Sequence, residues 1–208
     1  MRVMGIDEAG RGCVLGDLVV CGYVVESLDD DALRAAGADD SKRLSAKRRV
    51  AARQALGALG EADVRCITPA EIDAGNLNEL EEATIVSLID RWQPERVYID
   101  ALGHPRTLPA LQKRLLGALR TCQPELVIEP KADHTYPVCG AASIFAKTTR
   151  DQALADIVAA HGPLGSGYPS DPKTRRWLAD HAASKQPWPS FVRTRWQTVR
   201  DLAQGSLL

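Results

Sequence analysis

The sequence predicts an α/β protein, a mixed β-sheet flanked by helices, from three observations. Five apolar or β-branched runs have strand length: VMGI at 3–6, DLVVCGYVV at 17–25, ADVRCIT at 62–68, RVYIDA at 96–101 and ELVIE at 125–129. Segments of helical periodicity lie between them, at 46–59, 78–93, 106–120 and 140–160. The first two runs follow one another with no helix between them, so they read as a hairpin-like antiparallel pair, and the later strands alternate with helices.

Downstream of about residue 161 the texture changes. HGPLGSGYPSDP is rich in Gly, Pro and Ser and reads as a loop. Two amphipathic segments follow at 171–184 and 194–204, the first with a start signal in Ser170-Asp171-Pro172. The expectation is one domain over 1–208, with a helical C-terminal lobe at about 161–208 packed on the α/β body.

Composition excludes several classes. Of the 208 residues, 45% are hydrophobic and 25% charged, as in an ordinary soluble protein, and no run approaches the roughly 18 apolar residues of a membrane span. Asp7 and Glu8 interrupt the first apolar run too early for a secretory signal, so a cytoplasmic location is expected. The cysteines at 13, 21, 66, 122 and 139 form an odd set without a CxxC pair, which signals neither a disulfide framework nor zinc. A net charge of −1 conceals an uneven distribution: residues 61–100 carry a balance of −7 and residues 171–200 one of +5. The second would suit a docked polyanion, although solvated helix faces also carry such runs.

The chemistry centres on carboxylates. In DEAGRG, Asp7 and Glu8 stand side by side at the end of an apolar run, and a regular strand would point them to opposite faces. Either one of them is idle or the strand ends there. The two glycines that follow allow a tight turn and a close approach of backbone amides to a ligand. Asp100 closes a predicted strand, where ligands of α/β sheets gather. Asp133 lies between the ELVIE strand and a long helix, flanked by Lys131 and Lys147. Carboxylates brought together need cations to stay ionised, and oxygen-only ligands select hard ions such as magnesium or manganese. Two such ions are the usual clamp for displacement at phosphorus, which points to phosphodiester hydrolysis. Taken singly, each residue also has an ordinary reading, as turn chemistry for the Asp-Glu pair or as a helix cap for Asp100.

Six ordered blocks then resemble the ribonuclease HII family, the type 2 ribonucleases H: GIDEAGRG at 5–12, DDSKRLSAKRR at 39–49, YIDALG at 98–103, KADHTYPVCGAASIFAKTTRD at 131–151, GSGYPSDPKT at 165–174 and FVRTRW at 191–196. The last two are nearer the archaeal and eukaryotic branch. The resemblance implies a ribonuclease H-like fold whose C-terminal lobe binds substrate. It makes Asp7, Glu8, Asp100 and Asp133 the catalytic carboxylates, holding two magnesium or manganese ions in the substrate complex. It assigns Gly10, Arg11, Gly12 and Tyr168 to the junction between a ribonucleotide and the DNA after it, with the glycine amides near the 2′-hydroxyl, the group that separates RNA from DNA. Lys42 and Arg43, with Lys173, Arg175 and Arg176, become phosphate contacts. Cys13, Asp17 and the pair Cys139-Gly140 depart from the family's frequent residues and put fine substrate positioning in question.

The implied activity is endonucleolytic hydrolysis on the 5′ side of ribonucleotides, in RNA/DNA hybrids and at single ribonucleotides in duplex DNA, serving replication and repair. Ribonuclease HIII is the nearest alternative, but it usually carries an extra N-terminal domain, and here the first block starts at residue 5. A noncatalytic duplex-binding protein is the alternative from another class. The segment Gln204–Leu208, QGSLL, faintly resembles the start of a sliding-clamp binding peptide without its aromatic pair. A monomer without membrane contact is expected.

Overall fold

The computed structural model describes residues 1–38, 44–101 and 105–203. Its strands are β1 (Val3–Ala9), β2 (Leu18–Val25), β3 (Glu61–Ile67), β4 (Arg96–Asp100) and β5 (Glu125–Glu129), joined in one mixed sheet of order β3-β2-β1-β4-β5. Strand β2 is buried at all eight positions, as its continuous apolar run requires of an inner strand. The pairs β1–β4 and β4–β5 are parallel, with Ile6 opposite Ile99 and Asp100 opposite Glu129. The helices are α1 (Asp30–Ala35), α2 (Ala46–Leu56), α3 (Pro69–Ala74), α4 (Leu77–Trp92), α5 (Leu108–Ala118), α6 (Ala132–Thr135), α7 (Pro137–His161), α8 (Pro172–Ala183) and α9 (Gln197–Ala203).

Every predicted strand and long helix is present, and the differences are local. The first strand runs on through Asp7 and Glu8 to Ala9. The short helices α1, α3 and α6 have four to six residues, too few to show a helical period in sequence. Local chemistry starts them instead: Asp29 accepts from the Ala32 amide ahead of α1, and a reciprocal Thr68–Glu71 capping box opens α3. The expected start signal of α8 is real, with Asp171 as N-cap and Pro172 in the first turn.

The chain divides into two compact units. The first comprises Met1–Ala9, Val20–Arg65 and Glu81–Thr148. In it the start of α7 presses on β1 so closely that a methyl group at Gly5 would lie 2.2 Å from the carbonyl of Val138. The buried Cys139 thiol donates to the Tyr98 carbonyl at 3.1 Å, and a side chain at Gly140 would meet the Ala38 carbonyl at 2.8 Å. The unusual Cys139-Gly140 pair therefore belongs to packing, Cys139 against β4 and Gly140 against the Ala38 backbone.

The second unit comprises Gly10–Val19, Cys66–Leu80 and Thr149–Leu208. Its core gathers Val14, Leu15, Leu164, Leu178, Phe191 and Val192, with Trp177, Trp188 and Trp196 packed around them. The segment 14–16 is held by two strips of chain. Val14 donates to the Gly167 carbonyl at 2.8 Å, and Gly16 donates to the Phe191 carbonyl at 2.8 Å beside the antiparallel bridge Leu15–Val192. No helix of the described residues is long and apolar enough to cross a membrane.

Candidate active site

The parallel pairing of β1 with β4 places Ile6 against Ile99, so the next residue on each strand is an aspartate, Asp7 and Asp100. The third acid arrives from α6, where Lys131 takes a left-handed conformation (φ 64°) and turns the chain so that Asp133 enters the first helical turn. Asp100 helps fix that turn, since its Oδ1 accepts from the Ala132 amide at 3.0 Å. One carboxylate oxygen from each of Asp7, Asp100 and Asp133 lies within 4.8 Å of the others.

This donor set suits a divalent cation. Asp7 is 6% exposed and Asp133 2% exposed, and three acids this close repel one another unless positive charge joins them. Burial pushes the Asp7 carboxyl up to about 7, with Asp100 adding repulsion. A hydrogen bond from Ser143 and the Lys147 ammonium oppose that rise. Ser143 and Lys147 stand one turn apart on α7, and Lys147 Nζ donates to Ser143 Oγ at 2.9 Å. The helix thus brings a hydroxyl and a cation to the acid, and all-oxygen donors match hard ions. Ser143 escaped the sequence reading: a serine within the apolar run GAASIFA looks like filler until its neighbour is seen.

Glu8 lies outside the three-carboxylate grouping. It is half-buried, and its own amide donates to Asp7 Oδ1 at 2.7 Å. The strand alternation that separates neighbouring side chains operates here, because β1 does not end at Asp7. His134 Nε2 lies 3.8 Å from Asp133 Oδ1 at the rim of the trio.

In the second unit, residues 10–13 form a tight turn closed by the Cys13 amide donating to the Gly10 carbonyl at 3.1 Å. Gly10 has φ 88°, and a side chain there would meet the Asp17 carbonyl at 2.9 Å, so only glycine fits. Arg11 hydrogen-bonds Asn78, and Gly12 is exposed with Tyr168 Cε1 3.8 Å from where its Cβ would lie. Tyr168 is 40% exposed, and its ring faces the Arg150 guanidinium at 5.1 Å. Arg150 also donates to the Ser166 carbonyl. Cys13 is fully buried against this group; burial pushes its thiol up, opposed by Arg150 and a hydrogen bond from Tyr168. Lys173, Arg175 and Arg176 are exposed on α8. Lys42, Arg43 and Gln204–Leu208 lie outside the described residues.

A mixed sheet whose adjacent parallel strands β1 and β4 carry Asp7 and Asp100 beside Asp133 of α6 is the frame of a ribonuclease H-type, metal-dependent enzyme. The chain belongs to the ribonuclease HII family, whose model, described as Ribonuclease HII, matches residues 4–199. It is 42% identical to the ribonuclease HII of Hyperthermus butylicus, over 97% of this chain and 85% of that protein. Among solved structures it is similar to the ribonuclease H2 from Pyrococcus horikoshii OT3, with a TM-score of 0.89 at 35% identity over 99% of both chains. It is also similar to a chain in the PCNA:RNase HII complex from Archaeoglobus fulgidus, with a TM-score of 0.86 at 38% identity over 99% of this chain and 98% of that one.

Proposed function

We propose that this ribonuclease H hydrolyses the phosphodiester on the 5′ side of ribonucleotides, both in RNA/DNA hybrids and at single ribonucleotides embedded in duplex DNA. The observation that carries this reading is the close trio Asp7, Asp100 and Asp133, in which Asp7 and Asp133 are buried and burial pushes the Asp7 carboxyl up to about 7. Such a group has the chemistry to hold magnesium or manganese, two ions in the substrate complex of this proposal. Glu8 is the fourth catalytic carboxylate of this proposal, although it stands outside the trio on the next residue of β1 after Asp7. Bound cations supply charge neutralisation at the phosphate and an acidified water. The protein's part is to hold Asp7, Asp100 and Asp133 on two rigid strands and a helix start, and to bring Ser143 and Lys147 to Asp7. Water adds to phosphorus, the bond to the upstream 3′ oxygen breaks, and that oxygen leaves as a hydroxyl while the ribonucleotide keeps a 5′-phosphate.

Recognition falls to Gly10, Arg11, Gly12 and Tyr168. Exposed Gly12 offers an amide with no side chain of its own beside it, and the Tyr168 ring offers a flat face to the sugar of the following deoxynucleotide, where a ribose hydroxyl would crowd it. Lys42 and the exposed cations of α8 contact phosphates without reading sequence. The cellular role is removal of ribonucleotides during replication and repair, in the cytoplasm, by a monomer. The Archaeoglobus relative's complex with PCNA supports a clamp contact through Gln204–Leu208. A DNA duplex carrying one ribonucleotide, end-labelled and incubated with magnesium or manganese, tests the reading. A cut 5′ to the ribonucleotide that disappears in Asp133→Asn is expected; no cut on this duplex or on a long hybrid overturns it.

A further inference from the structure

Arg193 sits in the basic C-terminal run yet is fully buried, the largest side chain so enclosed among the described residues. A buried guanidinium needs strong partners. Its Nε donates to the Gly16 carbonyl at 2.8 Å and its Nη1 to the Arg11 carbonyl at 3.0 Å, while its face lies 5.0 Å from the Trp196 ring. The backbone amide of Arg193 adds a bond to the Val14 carbonyl at 2.9 Å. One residue therefore grips the recognition loop at 11, 14 and 16.

The Arg11 carbonyl belongs to the central peptide of the turn Gly10–Cys13. The two common forms of such a turn differ in how that peptide faces, and the second requires a positive φ at the third residue. That residue is Gly12, which could adopt either form at little steric cost. In this structure its φ is not positive, unlike those of Gly10 and Gly16. A planar trans peptide points its carbonyl and its N–H in opposite directions. Holding the Arg11 carbonyl inward therefore turns the Gly12 N–H away from Arg193.

We infer that Arg193 is a positioning residue for ribonucleotide recognition: its fork on the Arg11 and Gly16 carbonyls locks the Arg11–Gly12 peptide in the orientation that presents the Gly12 amide. This deepens the proposed function and rests on its reading of Gly10–Gly12. A lysine has a single head and cannot span both carbonyls as the planar guanidinium does. Glycine at the third position gives the turn freedom for a close approach, and Arg193 removes the unwanted alternative.

The test uses the full chain. Relaxation-dispersion NMR of the Gly12 amide is expected to be flat in the wild type and to show exchange in Arg193→Met. Adding Gly12→Ala should quench that exchange, because alanine disfavours the positive φ and its Cβ would meet only Tyr168, at 3.8 Å. In parallel, Arg193→Met should lose about tenfold or more in kcat/KM on the single-ribonucleotide duplex and about threefold or less on a long hybrid, the scale of one lost charge-assisted hydrogen bond. A folded Arg193→Met variant with flat dispersion overturns the inference. Where that variant does not fold, Arg193→Lys is measured instead, and flat dispersion with wild-type substrate discrimination overturns it. A wild type that cuts neither duplex defeats the proposed function, and the dispersion result still decides whether Arg193 holds the peptide.

Discussion

The carboxyl of Asp7 is held up to about 7 chiefly by burial, against an ordinary value of 3.8. In metal-free protein the native state therefore keeps a proton that the unfolded chain has already released. The resulting stability is complete below pH 3.8 and is lost as pH rises to and through about 7, by an amount on the order of 4 kcal/mol. In a chelating buffer the thermal midpoint should fall between pH 5.5 and pH 8 in the wild type, and by distinctly less in Asp7→Asn. At pH 8 magnesium or manganese should restore the wild type and leave Asp7→Asn unmoved; equal responses of the two proteins would contradict this account. The position of Asp7 was readable from its place at the end of the first apolar run, although β1 itself runs on to Ala9. Its separation from Glu8 was readable only as an alternative, because the sequence did not say whether β1 continued past residue 6.

At the scale of elements, close backbone packing between β1 and α7 supports the trio. Gly5→Ala would place a methyl 2.2 Å from the Val138 carbonyl, where only backbone movement can relieve it. The expected cost is about 3 kcal/mol or more, seen as a drop of roughly 6–12 °C in thermal midpoint. Another element prediction concerns α8. Hydrogen bonds from the Ser166 hydroxyl, the Ser166 amide and the Lys173 amide hold the half-buried Asp171 carboxyl down at about 2. Its contribution is present above the ordinary 3.8 and disappears as pH falls through about 2, so Asp171→Ala should lower the thermal midpoint at pH 7 more than at pH 2. The long elements were legible because their apolar periods extend over many residues. Helix α6, which delivers Asp133, was not: its four residues start from a left-handed Lys131, a conformation that lysine does not advertise.

Over the whole molecule, charge is divided by position and not only by sign. The basic run at 171–200 counts as one excess of positive charge in the sequence, but Arg193 is buried against carbonyls while Lys173, Arg175 and Arg176 face solvent. Only the exposed cations should contribute to salt dependence. Replacing Lys173, Arg175 and Arg176 with alanine should weaken duplex binding uniformly across sequences and reduce the slope of log affinity against log salt by about one per lost contact. A slope unchanged in the triple variant would remove α8 from the duplex interface. Burial of a charged side chain depends on contacts far along the chain, so composition alone could not separate Arg193 from its neighbours. The FVRTRW block carried the only sequence hint, as part of the family resemblance and without a role.

The grip of Arg193 on the loop spans 177 residues to Gly16 and 182 to Arg11. A chain made from its N-terminus lays down the three aspartates within its first 133 residues and the anchor of its recognition turn sixty residues later. During synthesis, then, the three acids are encoded well before the residue that clasps the turn at 10–13. A chain halted before residue 193 therefore carries all three acids and no clasp on its turn.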